Sequence, residues 1–508
     1  MKREAFRHSL KIVRQAVLGV VIVAPVVAFA AGTVFGKADA IDSAPRLTGQ
    51  VPYADQISGR ALMGYTQNTK LVGHNNIFNR RQNGNLGWVD DCAYVSAYFG
   101  SAIEPLSGLA VLDVTKPKNP VITQMWDGTP GARESQVEGN QDSRMVVVMP
   151  FPRATFFGDP EAPESLLQFY DVPGDCGHLV KRGTYHFGNY TGPNTTDGVG
   201  RKIFTHEHRI WKDKVYVTAQ AANDPGPPLS VIYAGNRDNP QLIATWDLSD
   251  EGGGQPNAGI HDMDLSPDGT RAYVNMSTAR PGGGTNGGMA ILDTSEIANW
   301  QPGMPPPTIK RISDHLIWTP PATGNTHTTI YFKVHGRKYV YVSNEGGGCP
   351  AAYGQMVDVN FEAHPVVIAS LRLPVSKPEN CPLTTPDHAG FVLGDPGAKQ
   401  GLLSQYQYGA HYGGIDNPDE AEILATTWYS AGLHLWNVTD PYDPKWVGEF
   451  QPPGIDYEGK GRAVADRTYS YVRFYKGNIW FTSAGGGFWV VKQTNSARNA
   501  EKSASTEE

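Results

Sequence analysis

The stretch GLAVLDVTKPKNPVI, from Gly108 to Ile122, comes back near the C-terminus as GLHLWNVTDPYDPKWV, from Gly432 to Val447. Worn copies lie between them: LSVIYAGNRDNPQLI (Leu229 to Ile243), GMAILDTSEIANWQ (Gly288 to Gln301) and QMVDVNFEAHPVVI (Gln355 to Ile368). Each copy reads as an apolar strand, a polar turn rich in Asp, Asn and Pro, and a second strand. A phrase that recurs along the chain in this way marks a repeat architecture.

A strong strand recurs more often than the phrase itself, seven times along the chain. These strands are Ala93 to Ser96, Met145 to Val148, Val215 to Thr218, Ala272 to Asn275, Tyr339 to Val342, Glu422 to Ala425 and Asn478 to Phe481. Turn signals stand just ahead of several: Pro267-Asp-Gly269, His335-Gly336 and Lys476-Gly477. Seven units of four strands predict an all-β chain, a seven-bladed β-propeller over residues 60–492. The last copy stops at Lys492 without a fourth strand, and the segment Arg60 to Thr66 (RALMGYT) is a spare strand ahead of the first blade. We therefore expect the N-terminal strand to complete the last blade, because closure removes exposed edges. A pair of β-sandwiches is the alternative, disfavoured by the regular spacing and the matching leftover strand.

The strand Leu109 to Asp113 (LAVLD) and its copies are similar to the LVIVD family of exported bacterial β-propellers. The resemblance covers residues 60 to 492. It implies the architecture and says almost nothing about activity, since one fold hosts many functions.

Composition agrees with many short strands joined by tight turns. The 508 residues include 57 Gly and 38 Pro, and 18% are charged. The net charge of -7 gives no footprint for nucleic acid, so none is expected as a partner. At the N-terminus, Lys2, Arg3, Arg7, Lys11 and Arg14 precede an apolar run from Ala16 to Phe35, with small-residue sites at Ala28 to Ala30 and Ala38 to Ala40. Residues 1–40 read as an export signal, or as a membrane anchor if uncleaved, and 41–59 as a linker. The body is then periplasmic or extracellular. No Arg-Arg pair precedes the run, so any cofactor is expected to load after translocation. Export makes the four cysteines candidates for disulfides. Cys349 and Cys381 flank one copy and are the favoured pair, which leaves Cys92 and Cys176 for each other. The tail 493–508 has almost no apolar content and reads as disordered.

Six of the 14 histidines fall at one place in the repeat, the start of the innermost strand. They are His74, His206, His208, His261, His327 and His411; blade two has Glu138 there, and blade seven Tyr469, Tyr471 and Arg473. Inner strands converge on the central channel, so equivalent positions form a ring around one mouth. Imidazole suits copper, zinc, iron and nickel, and three or four ligands make a site. We take the six histidines as candidate metal ligands and Glu138, Glu207 and Asp262 as candidate catalytic acids or bases beside them. A structural role competes with this, because a Gly-His pair such as Gly73-His74 can lock a blade by bonding into a neighbouring turn. His388 sits in a long insertion on the same mouth and could cap the site. Arg144, Arg209 and Arg473 lie near inner strands, where they could recognise an anion or remain on the surface.

The glycine runs are not phosphate loops, since no GK[ST] follows. No nicotinamide, flavin or haem motif and no GxSxG elbow is present. The expectation is an exported metal-dependent enzyme, with copper favoured and zinc or manganese possible, acting on a small-molecule substrate. The histidine pattern looks like that of the copper propellers of the methanethiol oxidase and thiocyanate dehydrogenase classes in kind. A Zn- or Mn-dependent polysaccharide lyase or hydrolase is the alternative within the enzymes. A non-catalytic propeller that binds an exported protein partner is the alternative outside them.

Overall fold

The computed structural model describes residues 63–81, 83–97, 108–126, 132–152, 165–190, 201–202, 205–219, 228–246, 259–276, 278–279, 285–318, 324–346, 350–383, 408–455, 465–468 and 470–494. The N-terminal segment, the linker, most of the tail, Cys349 and His388 lie outside them, and with Cys349 the pairing favoured for it.

Seven antiparallel blades surround one axis. Their innermost strands are Asn83–Val89, Ala132–Asn140, Thr205–Trp211, Met263–Leu265, Gly324–Val334, Gly413–Ile415 and Arg473–Tyr475. Each pairs with the strong strand expected next to it, and a third and a fourth strand follow outward. Burial explains why the second strand was the clearest signal. Cys92–Ala97, Lys214–Ala219, Ile423–Trp428 and Asn478–Ser483 are buried at every position, because both faces pack against neighbouring blades. The fourth strands, such as Val121–Met125, are partly exposed. Two-residue hairpins join first to second strands in blades one, three, five and seven. At His335 (φ 51°) and Gly336 (φ 74°) both turn residues are left-handed, the geometry that matches strand twist.

The core is a ring of inter-blade cores. Among the described residues, seven apolar clusters each span one blade boundary. Val147 and Met149 of blade two meet Val215 and Val217 of blade three, for example. Trp480, Phe488 and Val490 of blade seven likewise meet Leu86, Trp88 and Val95 of blade one. That last cluster closes the circle.

Closure uses an N-terminal strand, but a later one than expected. Thr69–Asn75 pairs with Gly487–Gln493 and completes blade seven. Tyr65–Gln67, at the end of the expected closing segment, pairs instead with blade six along Glu449 to Gln451. A disulfide joins Cys92, on the second strand of blade one, to Cys176 in blade two. Among the described residues no helix is long and apolar enough to cross a membrane.

Candidate metal centre

The inner strands of blades one, two, three and five each break register near their start, between Asn83 and Leu86, Arg133 and Gln136, Thr205 and His208, and Thr326 and Thr329. A bulge of this kind re-aims side chains that strict alternation would send to opposite faces. In blade three it lets His206 and Glu207 both reach the axis. His206 stands against His261 of blade four with ring centroids 4.1 Å apart. His261 is 3.8 Å from His327 of blade five, and His327 is 4.0 Å from His411 of blade six. Four successive blades thus lay four imidazoles in an unbroken arc.

Glu345 faces three of them. Its Oε2 lies 3.9 Å from His261 Nε2 and 3.7 Å from His327 Nε2, and its Oε1 lies 3.6 Å from His411 Nε2. Tyr429 donates its hydroxyl to Oε1 at 2.5 Å. The imidazole–carboxylate gaps are too wide for hydrogen bonds. They are close to the ~3.4 Å that two donor atoms keep when each lies ~2.1 Å from a shared tetrahedral ion. The His261 and His327 rings are buried, each with the backbone carbonyl of the next histidine in the arc, His327 and His411, beside it. Burial, reinforced by the neighbouring histidines, holds both rings well below the usual imidazole pKa, so both are neutral and able to ligate. Two groupings, His206–Glu207–His261 and His261–His327–Glu345, each keep their ligand atoms within 4.8 Å of one another. The residues fit a metal ion.

One residue further along each inner strand, a polar layer plugs the channel. Asn85 donates to Gln136 at 2.7 Å, and Gln136 donates to Glu207. Glu207 also accepts from Tyr412 and, at 3.3 Å, from Tyr471. Tyr471 donates to Asp262 at 2.9 Å, and Thr328 and Arg209 complete the shell of Asp262, the latter at 3.0 Å. The Tyr471 backbone N–H returns to Asn85 at 2.8 Å. Each of the seven blades contributes a side chain at this place, and Arg209 is a second from blade three. Burial pushes Glu207 up to about 8 against the pull of its hydroxyl donors, and Asp262 up to about 6 against Arg209.

The six expected ligands therefore divide. His206, His261, His327 and His411 come together; His74 and His208 stand apart. His74 lies on the closing strand of blade seven, where its ring stacks on Trp489 at 3.8 Å and its Nε2 bonds to the Gly486 carbonyl at 2.6 Å. Gly84 holds the matching place in blade one. His208 is turned out of the arc by the same bulge that brings in Glu207, and its Nε2 sits 3.2 Å from the Val147 carbonyl of blade two. Among the three acids, Glu207 alone touches the arc, 3.3 Å from His206 Nδ1. Asp262 belongs to the plug, and Glu138 lies beyond it at the opposite mouth. Glu345 was not expected. It sits near the end of the second strand of blade five, Arg337–Gly346, ahead of a glycine run that reads as a rim loop. An acid closing a second strand was the available signal.

No protein-family model matches the chain, and no curated protein matches it either. Solved structures resemble it in architecture. A putative 6-phosphogluconolactonase from Bacteroides fragilis is 10% identical, covers 80% of this chain and 93% of its own, and superposes with a TM-score of 0.46. The Cps50 (Swd1) β-propeller domain of Myceliophteria thermophila is 9% identical over 85% of this chain and 100% of its own, with a TM-score of 0.44. Chaetomium thermophilum Sqt1 is also 9% identical, over 84% and 90%, with a TM-score of 0.41. At this distance they say nothing about the site.

Proposed function

We propose that the chain is an exported metal-dependent enzyme, a copper oxidoreductase that acts on a small molecule at the histidine mouth. One observation carries the reading: three Nε2 atoms face a single carboxylate at 3.6, 3.7 and 3.9 Å. His206 would supply a further imidazole. A donor set of neutral imidazoles ranks copper above the other divalent first-row metals, by the usual order of affinities. Bound there, copper would supply one-electron chemistry.

The acids favour redox over hydrolysis or elimination. A lyase or hydrolase needs a carboxylate free to move a proton at the substrate. Glu207 is engaged by Gln136, Tyr412 and Tyr471, and Asp262 by Arg209, Thr328 and Tyr471. Two phenols stand against the arc instead: Tyr412, 4.3 Å from His411, and Tyr429, 4.5 Å from it. The Cys92–Cys176 disulfide supports an oxidising compartment. With the GLAVLDV phrase, it keeps the LVIVD propellers as the proposed relatives.

The test is elemental analysis of protein purified from the periplasm and reloaded with Cu, Zn and Mn, beside a His261→Ala, His327→Ala double variant. About one equivalent of copper, lost in the variant, supports the proposal. Zinc or manganese lost in the same way moves the reading to a hydrolase or lyase. No metal in either protein overturns it and leaves a binding propeller.

A further inference from the structure

A second chamber of about 460 Å³ opens on the same axis beyond the plug, with Tyr471 at its floor and residues of all seven blades in its wall. Its character is set two residues past the plug position in each blade. That place is glycine in blades one and six (Gly87 and Gly414) and arginine in blade seven between them (Arg473). A Cβ on Gly414 would lie 2.0 Å from the Val472 carbonyl oxygen, so no side chain can fill that flank. The places flanking Arg473 therefore carry no side chain that could pair with it.

The other charges facing this chamber are already engaged. Arg209 is bound to Asp262 at 3.0 Å and lies 4.1 Å over the Tyr471 ring. Asp264 accepts the backbone N–H groups of Tyr331 and Leu265, and Asp416 those of Asn417 and Glu422. Glu138 accepts the Ile210 backbone N–H, and burial pushes its carboxyl up to about 8, which leaves it uncharged at neutral pH. Arg473 is exposed to the chamber, and its guanidinium has no ion pair or hydrogen bond among the described residues. A guanidinium fork without an acceptor is matched by a carboxylate, which it can grip with two parallel bonds. Beside it, Ile330, Ile415 and Phe474 offer an apolar wall. A volume of this size holds a small organic molecule.

We propose that this chamber binds a small monocarboxylate with an apolar body, its carboxylate on Arg473 and its body against Ile330, Ile415 and Phe474. The site is separate from the histidine mouth and stands whether or not a metal is bound there.

Calorimetric titration with sodium benzoate tests it, with benzyl alcohol as the uncharged match. One saturable benzoate site per chain is expected, at least ten-fold weaker in Arg473→Gln and intermediate in Arg473→Lys. Benzyl alcohol should bind at least ten-fold more weakly than benzoate. Metal content of Arg473→Gln should equal that of the wild type, which separates this site from the other. Wild-type affinity measured against NaCl gives a reading independent of how the variants fold, since an ion pair open to solvent weakens with salt. The proposal is overturned by absence of saturable benzoate binding, by equal binding in Arg473→Gln, by benzyl alcohol binding as tightly, or by an affinity flat with salt.

Discussion

Glu345 Oε2 stands 3.7 Å from His327 Nε2, while its other oxygen takes the Tyr429 hydroxyl. Burial pushes this carboxyl up to about 7, with the Tyr429 bond pulling the other way. A carboxylate so poor in solvent is costly unless a cation meets it. His261 and His327 beside it are held neutral by burial and supply no counter-charge, so the carboxyl is drawn toward its protonated form instead. A metal ion between the rings and Glu345 would supply the counter-charge.

Replacing Glu345 by Gln keeps the shape and removes the charge. Metal affinity should fall about 10–100-fold, the usual loss when a ligand or its immediate partner is changed. The melting temperature of the metal-free protein should hold or rise, because a buried acid has gone. Competition with a chelator of known affinity measures the first and a thermal scan the second. Unchanged metal affinity would remove Glu345 from the centre.

The arc is positioned from behind by a repeated device. Thr218 Oγ1 accepts from the Glu207 backbone N–H of its own blade and donates to the His261 carbonyl of the next at 2.9 Å. Asn275 reaches the His327 carbonyl and Ser343 the His411 carbonyl in the same way. Thr218→Val keeps the volume and leaves two buried backbone groups unpaired. We expect a loss of about 1–3 kcal/mol of stability and weaker metal retention than in Thr123→Val, whose hydroxyl serves an outer strand. Denaturation midpoints and metal content check the two.

The blades were legible because their signal is local. An apolar strand, a DVTKP-type turn and a second strand lie within fifteen residues, and each buries both faces or one in a way that composition reports. The axis was only half legible. His206, His261, His327 and His411 share a place in the repeat, so their meeting could be read. His208 looked equivalent to His206 by alternation, and the bulge after Thr205 broke that rule. His74 looked like the blade-one member, but closure falls a few residues later than the spare strand suggested, which moves it to blade seven. Glu345 belongs to no repeat phrase. Ser96, Thr218, Asn275, Ser343, Thr427 and Thr482 each place a small polar side chain near the end of a buried second strand, where blade two has Met149. That polar punctuation is visible in the sequence and points to the axis.

The disulfide ties blade one to blade two across 84 residues of chain. It bridges two blades that pair backbone to backbone at Ala97 and Glu134 and share one apolar cluster. Replacing both cysteines by Ala should cost about 2–5 kcal/mol. The loss should appear first as faster proteolysis within these two blades, read by limited digestion and mass mapping of the fragments. Equal resistance in the two proteins would refute a stabilising role.

His434 predicts an acid limit away from the axis. Its Nε2 donates to the Ala431 carbonyl at 2.9 Å and its Nδ1 accepts from the Trp446 indole at 3.0 Å, which fixes a neutral ring. Burial lowers its pKa to about 3. Between that value and the unfolded value near 6.5, the unfolded chain binds one proton more, so stability rises with pH and is lost as pH falls. The contribution is about 1.4 kcal/mol per pH unit in that window. His434→Gln should start less stable at pH 7 and show a shallower acid slope by about that amount. Urea denaturation at pH 7, 6 and 5 measures it; parallel slopes would contradict the assignment.

His74 separates ring closure from metal binding. Its ring stacks on Trp489 and its Nε2 bonds to the Gly486 carbonyl, so it pins the N-terminal strand to the last blade rather than facing the arc. His74→Ala removes a buried hydrogen bond and an aromatic contact, together worth about 1–2 kcal/mol. Because the closing strand forms only when the chain ends meet, the loss should fall mainly on unfolding rate. Metal content should stay at the wild-type level, whereas His327→Ala should lose the metal and keep its closure. Paired elemental analysis and unfolding kinetics on the two variants give a crossed result. If His74→Ala loses metal while its unfolding rate is unchanged, the ring of ligands runs through blade seven after all, and the four-histidine arc is the wrong site.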